Sequence, residues 1–537
     1  MALPAQRTAA VGAPNASDFL DLYAHERPAP AKPVDEFLAE LRDLIRAHPI
    51  DTRLAETLKY GGASRAALQR WIKDYYQWIR LDAHGSAATI ARAPRRGLFL
   101  ALSPIVSRKT GFNQVTTPAL ELFVRFAAAC DVTREELERH FACPETMQAT
   151  FTRLQFQFSS FDEGFVVAAL ASEGSLLDVV RDERPFLCQR GIAEYLKRAW
   201  QLDDEAVAYW RAFEDFTGFV REPVWEIARE VAVDAAQQQR LRTVLHHWLL
   251  LYQQMRRAWG ELVSGDYALP DFVWPPPQAR FGAGAAQSHD EMEEELAEFC
   301  GALTRPKETA FGFLLSGRAS LAAARELAMD FFHLDATRAI AGQFSRIVDA
   351  KALPAMAQAF ATESGGYLTR CHMEIWADFC ERAFGVTRAD LSAWLPPTET
   401  IGSHYVTKWF LTHGLPEEAM AAFHLGPPPR ARERMGKGAH GLGQGGVAGE
   451  GLLQSTTAKS PLVAAFQRLG IDPDLADYFF RLHREIEPFE QDEGWEYVPA
   501  FIVSPHQRRL FTRAYMEKIL SERRKDEGLL RRMRALS

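Results

Sequence analysis

Two heptapeptides, DVTREEL at residues 131–137 and GVTRADL at residues 385–391, carry one pattern 254 residues apart. Two further pairs of blocks follow the same order: DYY at 74–76 with DFF at 330–332, 256 residues apart, and WE at 225–226 with WE at 495–496, 270 residues apart. Three collinear pairs predict that the chain is a tandem duplication of one domain. The larger last offset indicates an insertion in the second copy.

The segments between these blocks predict the domain boundaries. Residues 267–288 contain three consecutive prolines and then a Gly/Ala-rich stretch, which is typical of a linker. The Gly-rich residues 426–460 lie where the insertion is expected and predict a mobile loop, either a disordered insertion or a lid over a site. The predicted organisation is therefore a flexible leader (1–35), a first domain (36–266), the linker, and a second domain (289–537).

The periodicity of the chain is helical almost throughout. Apolar residues recur at spacings of three and four in six long segments: 67–90, 118–129, 205–232, 321–348, 353–384 and 473–490. Few runs alternate with the period of a strand. The predicted fold class is all-α.

Composition bounds the function. The net charge of −8 argues against electrostatic binding of nucleic acid, and no apolar run is long enough to cross a membrane. Six cysteines without a Cys-x-x-Cys spacing favour free thiols in a reducing cytoplasm. The closing basic segment, residues 523–532, is predicted to be a solvated helix face. We expect a cytoplasmic protein, and a homodimer is one assembly that the sequence allows.

Three short motifs resemble those of one helical superfamily. They are WIKDYY at 71–76, ESGG at 363–366 followed by HMEIW at 372–376, and FFRLH at 479–483 followed by Glu487 and Glu490. In these motifs the chain resembles the heme-oxygenase-like superfamily, within it the branch of thiaminase II (TenA), pyrroloquinoline-quinone synthase (PqqC) and non-heme diiron oxidases. The resemblance implies two seven-helix up-and-down bundles, each around a central cavity. In the oxidases that cavity holds two iron ions that activate dioxygen.

The resemblance implies metal ligands in the second copy only. His483, Glu487 and Glu490 fall on one helical stripe, as inward-pointing ligands require, although Pro488 would kink the helix between them. The family usually has Asp and His where this chain has Glu487 and Glu490. The site is therefore either rich in carboxylates or without metal. The alternative interpretation of the stripe is a charged, solvent-facing surface.

The remaining ligands come from two other helices. Glu363 and His372 are nine residues apart, on opposite faces of a straight helix, so the pair requires a distortion near Gly365-Gly366. Glu374 shares a face with Glu363 and is a reserve ligand. From the first core helix, Asp335 is the expected acidic ligand, with His333 as the alternative.

The duplication tests this assignment, because each ligand has a counterpart in the first copy. The counterparts are not metal ligands: Lys109 for Glu363, Pro118 for His372, Phe213 for His483, Thr217 for Glu487 and Val220 for Glu490. The first copy is therefore expected to be a structural partner or a cap on the cavity.

Three functions follow as hypotheses. The first is an oxidase or oxygenase that uses two iron ions and O2 on a small amine or amino-acid-like substrate. The second is a cofactor-independent cavity enzyme similar to PqqC or TenA, with His372 or His483 as the acid–base group. The third is a non-catalytic partner in a biosynthetic complex.

Overall fold

A computed structural model describes twelve parts of the chain: residues 29–48, 51–110, 117–171, 192–212, 221–267, 288–303, 309–332, 372–422, 428–431, 461–475, 495 and 497–537. These parts confirm the all-α prediction, since no strand occurs in them. No helix in them is long and apolar enough to span a membrane.

Helices of the first half come in the order α1 (Val34–Ala47), α2 (Arg53–Lys59), α3 (Arg65–Ile79), α4 (Asp82–Ala91), α5 (Arg96–Thr110), α6 (Ala119–Ala129), α7 (Arg134–Arg139), α8 (Pro144–Ser159), α9 (Phe161–Phe165), α10 (Ile192–Trp200), α11 (Arg221–Val231) and α12 (Ala235–Ser264). Helices of the second half are α13 (His289–Leu303), α14 (Ala310–Leu315), α15 (Leu321–Phe332), α16 (His372–Phe384), α17 (Arg388–Ala393), α18 (Thr398–Thr412), α19 (Pro416–Ala422), α20 (Pro461–Arg468) and α21 (Pro505–Ala535).

The matched sequence blocks adopt matched local structure. Thr133 and Thr387 each close a capping box at the start of α7 and α17. The residues two positions earlier, Asp131 and Gly385, both have positive φ, 59° and 65°. A capped helix start after a left-handed residue at both places supports the predicted duplication.

Two more pairs of helices begin in the same way. The hydroxyls of Ser64 and Ser320, 256 residues apart, each accept a hydrogen bond of 3.1 Å from the backbone N–H three residues on. Asp234 and Ser504, 270 residues apart, cap α12 and α21 through their side chains. All three sequence offsets therefore reappear as matched helix caps.

Helix α8 crosses α18 at the centre of the molecule through reciprocal contacts. Phe151 packs on Phe410 with ring centroids 4.8 Å apart, and Phe156 packs on Tyr405 at the same separation. Tyr405 and Phe410 lie 254 residues after Phe151 and Phe156, so each member of one pair corresponds to a member of the other. Such an exchange of partners is the property of a two-fold interface between like surfaces.

Gln148 and Gly402 mark the closest approach of α8 and α18. They are themselves 254 residues apart, and the Gln148 amide Nε2 donates to the backbone oxygen of Glu399 at 3.1 Å. A Cβ placed on Gly402 would lie 2.8 Å from the Cβ of Gln148. The absence of a side chain at residue 402 is therefore what allows the two backbones to approach.

The two halves share a hydrophobic core. One cluster belongs almost entirely to the first half, and another, from Ala310 to Met533, belongs to the second. A third cluster combines Met147 and Phe151 of α8 with Phe410 of α18 and Tyr515 of α21. Helix α8 is buried from Pro144 to Gln157, so it serves as an interior element of the whole molecule.

Two predictions about local structure were wrong. The segment 67–90 is not continuous, because a turn at Arg80-Leu81 separates α3 from α4. The closing basic segment is not a solvated face throughout, because Arg523 and Lys525 are buried in α21. Most of the leader, the linker and the Gly-rich segment lie outside the described residues.

We expect Gly402→Ala to lower the free energy of unfolding by about 1–3 kcal/mol, because the new methyl group overlaps the base of Gln148. The matched control is Gly97→Ala in α5, where a Cβ would meet no atom within 4 Å. That variant should be unchanged, or more stable by up to about 1 kcal/mol. Urea denaturation checks both, and equal effects of the two substitutions would contradict the close approach at Gly402.

Candidate acid–base site in the second half

The predicted metal ligands fall mostly beyond the described part of the chain. Glu363, His483, Glu487, Glu490 and Asp335 lie outside it, as does the alternative His333. His372 is the first residue of α16, and the reserve ligand Glu374 is half-buried in the first turn of that helix. Among the described residues, no group of three or more His, Cys, Asp or Glu side chains is arranged to hold a metal ion.

Two first-half counterparts of these ligands are described. Lys109, the counterpart of Glu363, is directed inward and pairs with Asp82 at 2.7 Å. Pro118, the counterpart of His372, is exposed just before α6. By the repeat, the position of Glu363 is interior, whereas that of His372 is at the surface.

Asp74 on α3 is the best-satisfied buried carboxylate of the first half. It is 1% exposed, and Oδ1 accepts from the backbone N–H of Cys143 at 2.6 Å. Oδ2 accepts from the Trp259 indole at 2.8 Å and from the Thr146 hydroxyl. His140 Nε2 lies 3.6 Å from Oδ1. Because both oxygens have strong donors, the burial of this charge is compensated and Asp74 has a structural role.

Asp330 is the counterpart of Asp74 in the second half, and it has lost most of these donors. At the position of Cys143 the second half has Pro397, which has no N–H, and at the position of Trp259 it has Leu529. The hydroxyl is retained, since Thr400 Oγ1 donates to Asp330 Oδ1 at 2.6 Å. Among the described residues, Thr400 is the only hydrogen-bond donor to this carboxylate.

The loss of donors changes the acidity of Asp330. The side chain is 2% exposed, and burial raises its pKa from 3.8 to about 6. The positive charge of Lys525 and the hydrogen bond from Thr400 limit this increase. A carboxyl group whose pKa is near neutrality can both accept and donate a proton at physiological pH.

Lys525 on α21 is the second unusual group at this site. It is 3% exposed and makes no hydrogen bond or ion pair with any residue in the described ranges. Its neighbour Asp526 is occupied, because it accepts from the backbone N–H of Ala310 at 3.1 Å and from Arg523 at 3.1 Å. A buried ammonium without a direct partner is costly, and such groups concentrate at functional sites.

Three helices position these two groups. Asp330 lies near the end of α15, Thr400 in the first turn of α18 and Lys525 within α21. Helix α18 approaches α21 closely at Gly528, where a Cβ would lie 2.6 Å from Glu399 Oε2. The result is a buried carboxyl group with one unused oxygen near a buried ammonium, an arrangement that can bind a small polar molecule and exchange a proton with it.

Sequence reasoning did not identify Asp330 or Lys525. Asp330 belongs to the repeated DYY/DFF block, and the exchange of its partners for Pro397 and Leu529 is visible once the halves are aligned. Lys525 was assigned to a solvated face because neighbouring arginines conceal its environment. Only the packing of α21 reveals that it is buried.

The four described cysteines, Cys130, Cys143, Cys300 and Cys380, are free and buried, as the sequence predicts for them. Burial raises the pKa of the Cys130 and Cys300 thiols to about 12. These thiols are therefore protonated at neutral pH and are poor nucleophiles.

A comparison with models of known protein families gave no match, and a search of curated proteins gave none either.

We expect the same substitution to have opposite effects in the two halves. Asp74→Asn should lower the free energy of unfolding at pH 7 by at least about 2 kcal/mol, because it removes a charged acceptor from several buried donors. Asp330→Asn should raise it by about 1–3 kcal/mol, because ionised Asp330 is disfavoured in the folded state.

The sign follows from proton binding. Because the pKa of Asp330 is higher in the folded chain, the native state binds more protons between pH 4 and 6, and wild-type stability falls as the pH rises through this window. The excess stability of Asp330→Asn should therefore shrink as the pH is lowered from 7 to 4. Denaturation curves at each pH measure it, and a constant difference would contradict the assigned pKa.

Proposed function

We propose that the chain is an enzyme whose reaction takes place in the second half, with Asp330 transferring a proton to or from a small amine or amino-acid-like substrate. One observation carries the proposal. Asp330 is buried with a single hydrogen-bond donor, whereas its counterpart Asp74 has a donor on each oxygen.

The energetics favour a functional role for the unsatisfied group. A buried polar group without partners costs about 1–3 kcal/mol. The first half shows that the same position can be fully satisfied within the same architecture. A chain that replaces two donors by Pro397 and Leu529 accepts that cost, and a ligand that donates to Asp330 would recover it.

The substrate class follows from the charges of the two groups. The free oxygen of Asp330 suits an amine N–H, and the unpaired ammonium of Lys525 suits a carboxylate or another anionic group. An amino acid, or an amine with an acidic group, offers both.

The proposal agrees with the resemblance to the metal-independent TenA and PqqC branch of the heme-oxygenase-like superfamily. In that branch the reaction takes place in the cavity of a helical bundle. The acid–base group proposed for this chain is Asp330 in place of His372 or His483.

The diiron oxidase is the second candidate, favoured by the inward position of Lys109, the counterpart of Glu363. Glu363, His372, His483, Glu487, Glu490 and Asp335 would hold the two iron ions. The metal would supply activation of O2, and carboxylate-rich ligation fits hard metal ions. In this candidate Asp330 and Lys525 retain their role in holding the substrate.

We expect the protein to transform or bind members of a library of amino acids and small amines, because Asp330 and Lys525 lack other partners. The measurement is mass spectrometry of the mixture, together with thermal shift for each compound. Turnover should persist with a chelator present, and Asp330→Asn should reduce it by about 100-fold or more, the usual contribution of a general acid or base.

The matched control is Asp74→Asn, assayed below its melting temperature, which should retain turnover. Equal turnover of wild-type protein and Asp330→Asn would refute the role of Asp330. An absence of binding and turnover across the library would favour the non-catalytic partner.

Iron content separates the two enzyme candidates. Under the oxidase candidate, anaerobic reconstitution with ferrous iron should give about two iron ions per chain, the stoichiometry of carboxylate-bridged bundle sites. Oxygen should then produce a new optical band. Glu487→Ala should lose both, and wild-type protein that binds no iron would exclude the oxidase.

A further inference from the structure

A second group of buried polar side chains lies in the first half, where α4, α5 and α8 meet. Lys109 Nζ pairs with Asp82 Oδ2 at 2.7 Å and donates to Ser86 Oγ at 2.8 Å. Arg153 Nη1 pairs with the other oxygen of Asp82 at 3.1 Å. The guanidinium also lies 3.7 Å from the ring centroid of Trp78 and donates to its backbone oxygen.

The charges of this cluster do not balance. Two cations share one carboxylate, and the side chains of Lys109 and Arg153 are 12% and 4% exposed. Burial, together with the charge of the other cation, lowers the pKa of Lys109, and burial lowers that of Arg153. One positive charge is therefore left without compensation in the interior, where an unpaired charge is costly.

Hydrogen-bond donors in the cluster are also unused. Arg153 Nε is buried without an acceptor. Gln157, one helical turn further along α8, is 0% exposed, and neither its amide nitrogen nor its amide oxygen has a partner. This amide lies over Gly85, where a Cβ would be 1.9 Å from Gln157 Oε1, and Gly85 adjoins Ser86. The unused donors therefore converge on the same part of α4.

We propose that this cluster is a binding site for a small monocarboxylate. A single negative charge would neutralise the excess cation, and two carboxylate oxygens can accept from Arg153 Nε, the Gln157 amide and the third N–H of Lys109. Gln157 over Gly85 leaves space only for a small ligand.

The site belongs to the first half alone. The second-half counterparts of its cations are Glu363 for Lys109 and Thr407 for Arg153, and Leu411 replaces Gln157. None of these can bind an anion in the same way. The proposal is therefore independent of the acid–base site at Asp330, and it gives the first half a ligand of its own.

Calorimetric titration of the full chain with acetate or formate tests the proposal, with chloride and phosphate at equal ionic strength as comparators. We expect saturable binding of the carboxylates and at least tenfold weaker binding of both comparators. Gln157→Leu and Lys109→Met should each weaken acetate binding at least tenfold. The matched control, Lys197→Met, removes an exposed lysine and should bind as the wild type does.

Gln157→Leu keeps the test decisive if Lys109→Met fails to fold. Because it removes an amide without partners, its stability without ligand should equal or exceed that of the wild type. No saturable binding by wild-type protein, undiminished binding by Gln157→Leu, or equal binding of chloride and acetate would each overturn the proposal.

Discussion

The close approach of α8 and α18 at Gln148 and Gly402 is the constraint on which the rest of the structure depends. It buries α8 along nearly its whole length and places Phe151 and Phe156 against Phe410 and Tyr405. It also fixes the start of α18, which carries Thr400 to Asp330. Since the partners exchange across the contact, the interface has the form expected of two like domains that associated face to face and were joined in one chain.

The two halves differ most where they hold buried charge. The first half satisfies Asp74 and leaves an excess cation between Lys109 and Arg153, whereas the second half leaves Asp330 and Lys525 without full sets of partners. Duplication explains this divergence physically, because one copy can maintain the shared core while the other loses donors. Each half thus carries incompletely satisfied polar groups, at different positions and of different chemistry.

Helix content and the matched blocks could be predicted from the sequence, because the period of apolar residues and the capping residues Thr133 and Thr387 are local signals. The break at Arg80-Leu81 was missed because neither residue is glycine or proline. The burial of Lys525 was also missed, because burial depends on how α21 packs against distant helices. The proposed metal ligands stay predictions, since they lie almost entirely outside the described residues.

The burial of α8 has a consequence for synthesis of the chain. Its principal partner, α18, lies about 250 residues later, and at about 5–20 residues per second the ribosome needs roughly 10–50 s to produce it. During that interval the apolar side chains of α8 have no native surface to cover them. The first half must therefore wait in an incompletely buried state, which makes nascent chains sensitive to chaperone supply and to pairing between neighbouring copies on one message.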